Sequence, residues 1–106
     1  MQKSGRYLYV LFCCQQAIEK RLKGLVIKQT KEMPPRTHDL LRLVGIAKIE
    51  LSGEQELFLR QLGNYYIETR YPEEMQELVS KATRKLAHTY LAKTKGFIKW
   101  LDQVLK

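Results

Sequence analysis

The sequence predicts an all-α protein, an up-and-down bundle of four to five helices. Three observations carry that expectation. Residues 5–28, GRYLYVLFCCQQAIEKRLKGLVIK, hold apolar residues at helical spacing without a proline. Further segments repeat the rhythm behind helix-start signals at Ser52 and Pro72. No alternation of apolar and polar residues runs longer than four positions, so no strand is foreseen. A chain of 106 residues fits one domain, 1–106, with one modest core.

The first helix is the element the others must cover. Leu11, Cys14, Ile18, Leu22 and Leu25 follow at steps of three or four and line one side. Val10, Ala17 and Gly24 widen that stripe, and the small residues among them admit a close neighbour. Gln15, Gln16, Glu19, Lys20 and Lys23 fall elsewhere, with Glu19 and Lys23 placed to pair at i, i+4. Pro34 and Pro35 end this helix. Thr37 is a plausible N-cap for a second helix at about 38–48, with Leu40, Leu43, Val44 and Ala47 inward.

Ser52 with Gln55 forms an S-x-x-Q capping box for a third helix, strengthened by Glu54 and Glu56 in the first turn. Phe58, Leu62, Tyr65 and Thr69 carry its rhythm to about Arg70, where Pro72 stops it. Pro72 also suits the first turn of a short helix over 73–80. A long last helix restarts at about 83, with Ser80 or Thr83 as its cap and Leu86, Tyr90, Phe97, Leu101 and Val104 inward. Tyr90, Phe97 and Trp100 read as core before they read as a base-stacking platform.

No apolar run of about 18 residues is present, so no membrane span is expected, and a cleavable leader has no match; a cytoplasmic location follows. Cys13 and Cys14 are adjacent, a pairing that would be strained, and read as reduced core thiols. No Cys/His spacing suggests a metal, and no cofactor is called for. The net charge of +8 is uneven: +6 over residues 1–37, −3 over 38–75 and +5 over 76–106. Basic ends are consistent with solvated helix faces or with a surface for a polyanion such as RNA or a nucleotide.

Three fragments then stand in order: QQAIEKRLKGL at 15–25, THDL at 37–40, and YIETRYP at 66–72, followed by YLAKTKGFIKWL at 90–101. Together they resemble the HEPN domain family, named for higher eukaryotes and prokaryotes and for nucleotide binding. The resemblance covers nearly the whole chain. It implies a helical bundle that dimerises and is often encoded beside a minimal nucleotidyltransferase, as a toxin–antitoxin pair or substrate-binding partner. Relatives usually carry one more helix ahead of the segment at residue 5; here only Met1–Ser4 precede it, so a bundle lacking the first family helix is expected. Its apolar face would then be covered by a second copy.

Some relatives are metal-independent RNases with an Arg followed, after four to six residues, by a His. This chain departs from that pattern. The required positions before His38 are Lys31, Glu32 and Met33, and before His88 they are Lys81, Ala82 and Thr83. Arg84 with His88 is one residue too close, and Arg36 with His38 closer still. The reading that results is a binding module for nucleotide or RNA, or a partner of a nucleotidyltransferase. The alternative is a metal-independent endoribonuclease with a non-standard site using Arg70, Arg84 or His88.

Residue by residue, His38 can contact phosphate, act as a general base, or simply satisfy a helix start. Arg36 lies beside it. Arg70 offers a bidentate phosphate grip with Tyr66 and Tyr71 as stacking rings, against a plain ion pair to Glu73 or Glu74. Arg84 and His88 read first as a solvated face. Lys20, Arg21 and Lys23 are either solvated or the edge of a polyanion groove.

Overall fold

The computed structural model describes residues 3–65 and 71–104, with the side chains of 3–5, 75 and 104 excepted. Among the described residues the chain is five α-helices with no strand: α1 Lys3–Thr30, α2 Leu40–Ile46, α3 Gly53–Gly63, α4 Pro72–Lys81 and α5 Arg84–Val104. At about 1.5 Å per residue α1 is about 42 Å long, and it touches all four other helices. It is the spine of an all-α bundle.

The buried side of α1 runs Leu8, Leu11, Cys14, Ile18, Leu22, Val26. The expected widening went to the wrong flank. Ala17 and Gly24 are exposed and Val10 is half-buried, while Gln15 is fully buried on the other flank. The reason lies in the partners. The loop leading into α2 meets the Gln15 flank, where the His38 carbonyl accepts from Gln15 Nε2, and α5 approaches from the Cys14 side. Of the adjacent cysteines, only Cys14 is core; Cys13 is exposed.

α2 starts two residues later than Thr37 suggested. Asp39 is the N-cap, its carboxylate accepting from the amides of Leu41 (3.1 Å) and Arg42 (3.3 Å). Thr37 Oγ1 instead accepts from the Asp39 amide at 3.2 Å and so shapes the cap. The helix closes in a Schellman arrangement, with Lys48 N–H on Gly45 O (3.2 Å) and Ile49 N–H on Val44 O (3.1 Å). Lys48 takes the left-handed position, φ 57°, that glycine would hold more easily.

The Ser52 capping box is formed, with Gln55 N–H on Ser52 Oγ at 3.1 Å and Ser52 N–H on Gln55 Oε1 at 2.9 Å. α3 ends at Gly63 with Asn64 as its cap, not near Arg70. Phe58, Leu59 and Leu62 are its buried residues. α5 restarts at Thr83, whose Oγ1 accepts from the Leu86 amide at 3.1 Å, while Ser80 donates backward to Glu77 O. Phe58 stands edge-on to Tyr90, ring centroids 5.7 Å apart, and Tyr90 donates to Gln61 Oε1 at 3.3 Å, tying α3 to α5.

α1 and α5 run parallel. Cys14 is level with Thr94, and Arg21 with Asp102, whose Nη2 and Oδ2 lie 3.2 Å apart. No helix among the described residues is long and apolar enough to cross a membrane.

Candidate functional site

Four-residue steps along α1 place Gln15, Glu19 and Lys23 one above another on one side. The loop after α1 turns at Lys31, φ 59°, passes Pro34 and Pro35, and returns against that side. His38 therefore lands on Glu19. Its Nδ1 is 3.1 Å from Glu19 Oε1. An ionised carboxylate only accepts, so Nδ1 carries the proton and donates. Lys23 Nζ donates to Glu19 Oε2 at 3.0 Å. Gln15 Nε2 donates both to Glu19 Oε1 (3.1 Å) and to the His38 carbonyl (3.2 Å). Gln15 thus fixes the loop backbone while Glu19 fixes the ring.

The Glu19 side chain is 12% exposed and that of His38 47%. Burial pushes the Glu19 carboxyl up, but hydrogen bonds from Lys23, His38 and Gln15 outweigh it and hold the acid below its ordinary value. The half-buried anion is thereby kept ionised and orients a histidine that reaches water, as carboxylates orient metal-bound or catalytic imidazoles. Gln15 Oε1 is buried without a hydrogen-bond partner among the described residues.

Beside His38 lies a depression of about 370 Å³, bounded by Asp39, Leu41, Leu59, Arg60 and Gly63. Arg60 is exposed and paired with Glu56 at 2.9 Å, a contact water readily exchanges. Arg36, two residues before His38, is exposed as well. The corner therefore sets a held imidazole and the Arg60 guanidinium at one shallow concavity, with Arg36 two residues away along the chain.

Arg84 and His88 fall apart from it. Arg84 and His88 are exposed on the first turns of α5. His88 lies six residues before the Cys14–Thr94 level and Glu19 five residues after it. With parallel axes that is roughly 16 Å along the bundle at about 1.5 Å per residue. Tyr71 is 70% exposed at the start of α4. Tyr66 and Arg70 lie outside the described residues. Among the described residues no group of three His, Cys, Asp or Glu side chains could hold a metal ion. Cys14 is no nucleophile in waiting, since burial pushes its thiol up.

Glu19, Gln15 and Lys23 were foreseen only as off-stripe polar residues, with the Glu19–Lys23 pair anticipated. Nothing in their spacing points to a loop residue 19 positions away. The described helices thus form an all-α bundle with a polar corner where the loop before α2 meets α1. The HEPN domain family model matches residues 1–104, and the chain belongs to that family. No curated protein and no solved structure matches the chain.

Proposed function

We propose that this HEPN domain is a binding module that holds a nucleotide or RNA at the corner of His38, Arg36 and Arg60 while it docks a minimal nucleotidyltransferase in the cytoplasm. The observation that carries the reading is the half-buried Glu19 carboxylate holding His38 at 3.1 Å. A ring so held, beside exposed guanidinium groups, suits a phosphate group and its bridging oxygens. Tyr71, well exposed, adds a ring for a base, and Tyr66 and Arg70 of the same segment extend the proposal. A second copy would meet the outer side of α1, where Tyr9 and Ile27 are the exposed large apolar residues. Sedimentation at micromolar concentration tests that contact, and a monomer rejects it.

Fluorescence anisotropy with a structured RNA in the presence of a chelator tests the site. Arg36→Ala and Arg60→Ala should each weaken binding and flatten its salt dependence, by about 0.7 in log–log slope per lost contact on single strands. His38→Ala should weaken binding about tenfold. Binding indifferent to all three substitutions removes the corner from the account. The endoribonuclease reading keeps one observation in its favour, the exposure of Arg84 and His88 one turn apart on α5. Cleavage in the chelator that vanishes in His88→Ala would establish it.

A further inference from the structure

On the side of α1 roughly opposite Glu19, α1 and α5 leave an open groove of about 700 Å³. Ala17, Gly24 and Leu25 from α1 and Ile98 from α5 give it an apolar floor. Leu91, 38% exposed, sits one heptad before Ile98 on the same side of α5 and prolongs that strip. A Cβ built on Gly24 meets nothing within 4 Å, so the space over the floor is empty of this chain's own atoms. Small residues seven apart let a neighbouring helix approach at the short end of the interaxial range.

The rim carries a sign. Lys20, Arg21, Lys28 and Asp102 line the groove. Asp102 is taken by Arg21 at 3.2 Å. Lys20 and Lys28 have no ion-pair partner among the described residues, and they stand eight residues, about 12 Å, apart on either side of Gly24. A second copy fits this face poorly. A two-fold contact is self-complementary in position and would set like cations against one another.

We propose that the α1/α5 groove seats an acidic amphipathic helix of a partner protein. Its apolar face lies over Ala17, Gly24 and Ile98. Two of its carboxylates, seven or eight residues apart, pair with Lys20 and Lys28. The parallel dipoles of α1 and α5 favour the incoming helix antiparallel to both. The proposal gives chemistry to the protein-docking half of the function above and does not depend on the nucleotide half.

A displayed library of amphipathic helices, selected against the whole chain, tests it. The selected helices should carry an apolar stripe flanked by Asp or Glu at the stated spacing. Gly24→Trp, which fills the groove from open space, should weaken them at least tenfold. The pair Lys20→Glu with Lys28→Glu should abolish binding and restore it for the same peptide with its acids changed to Lys. Circular dichroism melts establish that the variants fold, and RNA binding by Gly24→Trp should be unchanged. Selection of basic or uncharged helices, or binding indifferent to Gly24→Trp and to the charge reversal, overturns the proposal. Conversion of a dimer to a monomer by Gly24→Trp overturns it too, because the groove would then belong to a second copy.

Discussion

Glu19 is the residue whose removal the structure prices most completely. Its carboxylate is sheltered and receives three hydrogen bonds, from Lys23 at 3.0 Å and from His38 and Gln15 at 3.1 Å. The Lys23 and His38 side chains are 28% and 47% exposed, so each pairing is screened and contributes about 0.5–1 kcal/mol. Gln15 is fully buried, and loss of one of its two acceptors costs about 1 kcal/mol. Glu19→Ala should therefore destabilise by about 2–3 kcal/mol, roughly 10–20 °C in Tm for a chain of this size. The pH dependence has a definite sign. Hydrogen bonding holds the folded carboxyl below its ordinary 4.5. Its stabilisation is thus present above that value and lost as pH falls through the lowered one. Urea denaturation of wild type and Glu19→Gln, at pH 7 and at about pH 3, reads this directly. The gap between them should be full at pH 7 and shrink in acid. A gap under about 0.5 kcal/mol at pH 7, or one of equal size at both, would mean that the Glu19 contacts do not operate in solution.

Three further outcomes can be read from thermal or urea melts. Lys48→Gly relieves a left-handed backbone position at the end of α2 and should stabilise by about 0.5–1 kcal/mol; a loss would place the α2 Schellman closure in error. Leu22→Ala opens a cavity under the C-terminal half of α1, where the side chain is fully buried, and should cost about 3 kcal/mol; a cost below about 1 kcal/mol would mean that α1 is not the spine. Ser52→Ala removes the oxygen that accepts from Gln55 N–H and should cost about 1 kcal/mol, with Ser52→Thr largely restoring it.

What the sequence showed and what it hid divide along a physical line. Signals that act within one turn were legible. Ser52 accepts from the Gln55 amide three residues away, so spacing alone identifies it, and the same rule narrowed the cap of α5 to Ser80 or Thr83, of which Thr83 accepts from the Leu86 amide. Where two local signals compete, tertiary packing chooses. Thr37 and Asp39 can both cap a helix, and Asp39 wins because a start at Leu40 turns Leu40, Leu43 and Val44 into the core. The third helix misled because Tyr65 and Thr69 keep the apolar rhythm past Gly63 and Asn64. Those two residues are weak helix formers, and the helix ends at them. The stripe on α1 misled for a deeper reason. Periodicity ranks residues by polarity, and so it set Gln15 and Glu19 off the apolar stripe and widened that stripe with Ala17 and Gly24. The structure reverses both. Gln15 can be buried and Glu19 half-buried because a loop carbonyl, an imidazole and a lysine answer their polar atoms. Ala17 and Gly24 can be left exposed because small side chains lose little by facing water. Both features that bear on function, the clamped His38 and the open groove, arise from these two reversals. A pattern of single residues records neither, since each depends on what stands opposite.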